Sequence, residues 1–218
     1  MITTYNPEHL GDVLMIILAP NANQQVVTTN KNVTRVSDLS SDKTTGYNIF
    51  GIGEKIQIKH KSGQLTLTQE QIDVINQELK QAGFSDELTV EPTKLVIGYV
   101  ETVATHPDSD HLHVTKTRVA NDKTLQIVSG SPNIKENIKV AVAQPGTMMP
   151  SGALIWDDEL RGVPSAGMIV SGRELHLPGA PDKPGALILP DDFGEVGDSF
   201  NFEKAVNLYR DNLVDLNY

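Results

Sequence analysis

The chain has 218 residues, 39% of them apolar, which suffices for two small packed domains, and it has no cysteine, which excludes disulfides and thiolate metal sites. Its net charge is −10, and no segment is basic: residues 1–90 hold 7 basic and 10 acidic groups, 91–201 hold 9 and 15, and 202–218 hold 2 and 3. A phosphate-bearing partner would therefore have to be held by a local group of cations on an acidic molecule.

Near the start the longest apolar run is Val13–Pro20, which follows His9 and Asp12, so neither a signal peptide nor a membrane span is expected. Together with the missing cysteine this fits a cytoplasmic protein. Val13–Leu18 reads as a strand, Asn21–Asn23 as a turn, and Val26–Thr29 and Val33–Val36 as short β-branched strands. Gly46–Gly53 reads as a glycine-rich turn; a phosphate loop there is excluded because Ile52 stands where its lysine must be. A helix follows, with capping-box spacing at Thr68 and Gln71, one apolar face at Ile72, Ile75 and Leu79, and Gly83 past its end. Helix plus short strands make residues 1–90 an α+β domain, with Ser85–Pro92 as the linker.

From Lys94 the pattern changes to short strands: Leu95–Val103, Val114–Ala120, Thr124–Val128, Lys139–Ala143, Ala153–Trp156, Gly167–Ser171 and Leu187–Leu189. Asn121-Asp122-Lys123 closes a hairpin, and Gly162, Gly167 and Gly172 suit tight bends between strands. About five principal strands with little helix fit an all-β OB-type barrel over residues 91–201. Phe202, Val206, Tyr209 and Leu213 recur at helical spacing, which predicts an amphipathic helix over 202–218.

Four blocks carry a resemblance: His106-Pro107-Asp108-Ser109-Asp110-His111-Leu112; Gln126-Ile127-Val128-Ser129-Gly130-Ser131-Pro132-Asn133; Val140–Ala143 with Pro145-Gly146; and Leu160-Arg161-Gly162-Val163 with Ser165, Gly167-Met168, Ser171 and Glu174-Leu175. In this order they resemble the tRNA-binding domain of EMAP-type proteins, found also at the front of the bacterial phenylalanyl-tRNA synthetase β chain. Tyr5-Asn6, Gly11–Leu14 and Gly46–Phe50 are similar to the extra amino-terminal domain of the YtpR-like members. The chain departs from the family where His111 replaces a lysine, Ala166 an acidic residue and Val170 a cysteine. The resemblance implies tRNA as the partner, an OB-type fold and self-association, hence a homodimer, to which the amphipathic tail offers a second route.

The candidate contacts follow physically. Small residues at Ser129, Ser131, Asn133 and Ser165 let a phosphate or ribose approach the backbone, and Lys116, Arg118, Lys123, Arg161 and Arg173 supply charge. Lys116 and Arg118 share a face if Val114–Ala120 is a strand. Tyr99, Trp156, Phe193 and Phe200 are too scattered to stack successive bases, so a folded RNA read through shape, phosphates and 2′-hydroxyls is expected, and no DNA partner. Trp156 and Met168 read as core. The cluster His106, Asp108, Asp110, His111 and His113 is explained by turn chemistry, with Asp108 or Asp110 bonding backbone N–H groups, so no metal and no other cofactor are expected. No serine has a nucleophile context, and the paired acids Asp157-Asp158 and Asp191-Asp192 read as solvated turns, so no catalytic residue is assigned and the protein is expected not to be an enzyme. The alternative reading, suggested by the charge, is an assembly module on an OB barrel that has lost RNA affinity.

Overall fold

A computed structural model describes residues 1–214 and 216. The chain is mostly β-structure and divides into two compact units, Met1–Pro92 and Thr93–Tyr218. Among the described residues no helix is long and apolar enough to cross a membrane.

The first unit contains β1 (Ile2–Tyr5), α1 (Pro7–Leu10), β2 (Val13–Ile17), β3 (Gln25–Asn30), β4 (Val33–Asp38), β5 (Thr44–Phe50), β6 (Gly63–Leu65) and α2 (Gln69–Gln81). The strands form one antiparallel sheet in the order β3-β4-β5-β2-β1-β6. The turn expected at Gly46–Gly53 is corrected here: Gly46 lies within β5 opposite Ile17, and only the residues after Phe50 turn. A Cβ at Gly46 would stand 2.5 Å from the Ile16 carbonyl oxygen, so the close approach of β2 explains a glycine in mid-strand.

Helix α2 begins where its capping box predicts. The Thr68 hydroxyl accepts from Gln71 N–H (3.4 Å) while the Gln71 side chain accepts from Thr68 N–H (2.9 Å). Ile72, Ile75 and Leu79 are fully buried against Tyr5, Leu14, Ile16, Tyr47 and Ile49 of the sheet, each such side chain contributing roughly 1.5–3 kcal/mol. The expected linker is mostly part of this fold. Asn76 accepts from Leu88 N–H (2.8 Å) and donates to its carbonyl (2.9 Å), and Thr44 (2.9 Å) and Tyr47 donate their hydroxyls to Asp86. Burial pushes the Tyr47 phenol pKa up, and Asp86 adds to that. Buried Glu78 accepts from Lys55 (2.6 Å) and Asn32 (3.0 Å); the Lys55 ammonium holds its carboxyl below the usual range against the opposing effect of burial.

The second unit contains β7 (Leu95–Thr105), β8 (His113–Ala120), β9 (Lys123–Ser129), β10 (Ile138–Ala143), β11 (Thr147–Met148), β12 (Leu154–Ile155), β13 (Asp157–Leu160), β14 (Val163–Ala166), β15 (Met168–Ile169), β16 (Ile188–Leu189) and α3 (Phe202–Ala205). Its main antiparallel sheet runs β15-β10-β7-β8-β9, with β16 also on β10. Continuous apolar runs in β7 and β10 mean that both faces are covered. Val96, Val100, Val140 and Val142 enter one core with Ile127 and Ile169, whereas Leu95, Ile97, Ala141 and Ala143 enter another with Leu187, Phe193 and Phe200. Asp157-Asp158, expected in a turn, lie instead in β13, which pairs with β14 around Arg161-Gly162. Positive φ at both turn residues (46° and 77°) matches the mirror-image two-residue turn that suits a hairpin's twist.

The predicted tail helix is four residues long. After Phe202–Ala205 the chain continues in turns, with Asn212 at φ 52°, because Ala205 and Leu208 enter the second core and the Tyr209 ring packs on Gly172, where a methyl group would overlap it. Asp215, Asn217 and Tyr218 of that predicted helix lie outside the described residues.

Candidate nucleic-acid interface

Strand β8 alternates buried Thr115, Thr117 and Val119 with exposed Lys116 and half-buried Arg118. The two cations therefore share the outer side of the sheet. Lys116 has no charged partner among the described residues; Arg118 is paired with Glu101 at 3.0 Å and lies over the Tyr99 ring, 5.5 Å from its centroid. Across the ladder Lys116 faces Gln126 and Val114 faces Val128, so Gln126 and Val128 lie on the same side as the cations. Lys123, at the hairpin end, donates to the Gln144 side chain (2.8 Å).

Val128 also forms one wall of a cleft of about 400 Å³ that gathers Ser129, Ser131, Ser165 and Arg173. Ser165 holds this wall in place, its hydroxyl accepting from Val128 N–H (3.0 Å) and donating to the Gly167 carbonyl (3.2 Å). Ser129 accepts from Ser131 N–H at 3.3 Å, which fixes the loop at the end of β9. A further wall comes from the stretch 154–160, of which Leu154, Ile155, Trp156, Asp158 and Leu160 line the cleft. Trp156 is thus half-buried at the cleft and outside the buried cores, not barrel packing as expected; Met168 is partly buried, packs against the core that holds Leu187 and Phe193 as expected, and also lines the cleft. Glu174 is taken up internally, accepting from Ser171 N–H (2.7 Å) and its hydroxyl (2.8 Å). Arg173, exposed at the rim, is paired with Asp182 at 3.1 Å.

Two of the expected contacts have backbone partners within the fold. Asn133 donates to the Ala186 carbonyl (2.9 Å) and accepts from its N–H (2.7 Å), and Arg161 donates to the Asp108 carbonyl (3.0 Å). Arg161 does not line the cleft. In the histidine cluster, His106 is buried with Nδ1 accepting from Asp108 N–H (3.0 Å), which leaves Nε2–H to donate to the Leu160 carbonyl (3.0 Å). Ser109 is a second side-chain acceptor in this turn, for the N–H groups of His111 and Leu112 (3.3 Å each); the expected role of Asp108 or Asp110 is thus filled by His106 and Ser109 among the described residues.

Residues 95–199 match the family model described as "Putative tRNA binding domain", and residues 20–91 match a domain of unknown function, DUF4479. The "Putative tRNA-binding protein YtpR" of Bacillus subtilis is 41% identical over 200 residues, covering 91% of this chain and 98% of that protein. This chain belongs to the YtpR family.

The YtpR match spans both units, whereas the phenylalanine–tRNA ligase beta subunits match in part. That of Oceanobacillus iheyensis is 53% identical over 83 residues, 38% of this chain and 10% of the ligase subunit; that of Dickeya dadantii is 38% identical over 125 residues, 55% of this chain and 15% of the subunit. A solved structure, the C-terminal domain of Plasmodium vivax p43, matches at 26% identity and a TM-score of 0.36, covering 55% of this chain and 77% of that one. Within this YtpR-family chain the serines and cations of the site were readable as small and charged residues. Trp156 and Asp158 were not among the candidates. No spacing singles them out, because Ile155 lines the cleft beside them and Trp156 lies between two short strands.

Proposed function

We propose that the protein binds folded tRNA without catalysing a reaction, through Lys116, Arg118, Ser129, Ser131, Ser165 and Arg173. The observation that carries this reading is that Val128, on the same side of the sheet as Lys116 and Arg118, also lines the serine-bearing cleft, in a chain of the YtpR family, whose Bacillus subtilis member is named for tRNA binding. Phosphates would meet Lys116 and Arg118 while small hydroxyl residues admit the backbone. Residues 91–201 form an OB-type barrel in this reading, following a separate amino-terminal α+β domain; the position of β15 against β9, at opposite ends of the sheet order, supports it. The protein works in the cytoplasm. About 3–5 phosphate contacts on an acidic molecule give weak, salt-sensitive binding, with a slope of log K against log salt of about −3 to −5. A salt titration of tRNA binding tests this: Lys116→Ala should make the slope shallower by about 1, and Lys116→Ala with Arg118→Ala by about 2. Absence of saturable binding by the wild type at low salt would leave the assembly-module reading in its place.

Self-association belongs to the same proposal, and β3 supports it. Asn30 and Val33 flank a two-residue turn, and Leu39 N–H donates to the Gln24 carbonyl (2.9 Å), so the backbone groups of Gln25, Val27 and Thr29 point away from β4 at the sheet's edge. Gln-Val-Val-Thr-Thr-Asn carries no charge, proline or bulge to guard that edge, and Val27 is 64% exposed. A neutral strand is where two copies with net charge −10 can meet. Antiparallel pairing of two β3 strands about Val27 makes a homodimer. Light scattering should give twice the chain mass for the wild type and the chain mass for Val27→Lys.

A further inference from the structure

The cleft lining is poorly suited to a phosphate. Two carboxylates, Asp158 and Glu174, face it with one guanidinium, Arg173, which Asp182 already engages at 3.1 Å. Glu174 is occupied by Ser171. Asp158 receives only the N–H of Glu159, on Oδ1 at 2.8 Å, and its Oδ2 has no partner among the described residues. Trp156, which joins β12 to β13 two residues before it, is half-buried and lines the same cleft. An indole and an open acceptor lining one cleft suit a nucleobase that stacks on the first and points a donor edge at the second.

We infer that the cleft takes one unstacked guanine base of the bound RNA, stacked on Trp156 and donating from N1–H and the N2 amino group to the Asp158 carboxylate. The choice of base follows from the donor inventory. An ionised carboxylate only accepts, and guanine alone among the four bases offers two adjacent donors on its pairing edge. Ser129 and Ser131, which also line the cleft, are then left for the ribose of the same nucleotide. A single captured base also fits a chain with too few aromatics for a stacking platform. The inference rests on the tRNA reading, yet its first probe does not need tRNA.

Trp156 is the chain's single tryptophan, so its fluorescence reports on this cleft alone. Titration of the full chain with guanosine monophosphate should quench that emission saturably, and adenosine, cytidine and uridine monophosphates should need at least about tenfold more. Asp158→Asn should abolish the preference for guanine while leaving the thermal melt unchanged. Trp156→Phe should weaken labelled-tRNA binding measured by anisotropy about fivefold or more. Equal quenching by all four nucleotides overturns the guanine assignment. tRNA that binds by anisotropy while neither it nor guanosine monophosphate disturbs Trp156 overturns the base pocket and leaves tRNA binding standing. Quenching by guanosine monophosphate without tRNA binding overturns the tRNA reading and leaves a mononucleotide site.

Discussion

The two units place their polar groups differently. In the first, charged side chains are held in networks with their neighbours: Arg35 lies between Asp42 (2.8 Å) and Asp86 (3.8 Å), Tyr47 and Thr44 close on Asp86, and Glu78 is held by Lys55 and Asn32. In the second, Lys116 stands unpaired among the described residues, and Arg118 and Arg173 each pair singly with an accessible carboxylate, Glu101 and Asp182. A network that satisfies itself stabilises one fold, whereas groups left at a face are available to a ligand.

The largest expected effect breaks the first unit alone. Leu79→Ala removes a fully buried side chain of α2 and should lower stability by about 2–5 kcal/mol in urea unfolding, while tRNA affinity below the transition stays within about twofold. Next, Tyr209→Ala exposes the surface around Gly172 and should cost about 2–4 kcal/mol, read in the same way but in the unit that carries the site.

Glu78→Gln sharpens the contrast through pH. The folded carboxyl titrates below its unfolded value, so its contribution is present above the unfolded pKa of about 4.3 and is lost as pH falls through the folded value. The variant should be about 1–2 kcal/mol less stable at pH 7 and should lose less than the wild type between pH 5 and pH 3 on the order shown by acid unfolding curves. The smallest effect is expected at Arg161→Asn. Asparagine's tolerance of φ 46° offsets the lost bond to the Asp108 carbonyl, so stability should change by less than about 0.5 kcal/mol and the tRNA salt slope not at all.

What could be read in advance was local. The Thr68–Gln71 capping box and the apolar face behind it specify α2 within a few residues, and alternation in Val114–Ala120 placed Lys116 and Arg118 on one side. β5 was missed because Gly46 looks like a turn until β2 is known to lie beside it. β13 was missed because Asp-Asp-Glu-Leu has poor strand propensity and is held by pairing across the Arg161-Gly162 turn. The tail misled for a related reason: its helical spacing is real, but Leu208 and Tyr209 are drawn to distant partners, and that packing overrides periodicity. The cleft's serines were legible from their small size, whereas the cleft side of Trp156 depends on how the 154–160 stretch crosses the sheet.

The seat of Tyr209 on Gly172 also limits how portable the second unit is. The family match ends at residue 199, before Ala205, Leu208 and Tyr209, yet these residues close the core that holds Phe193 and Phe200. A fragment cut at the borders of the match would carry the whole cleft and an uncovered apolar surface beside it, and would be prone to precipitate. Transplanting the site into another protein therefore requires the tail to travel with it.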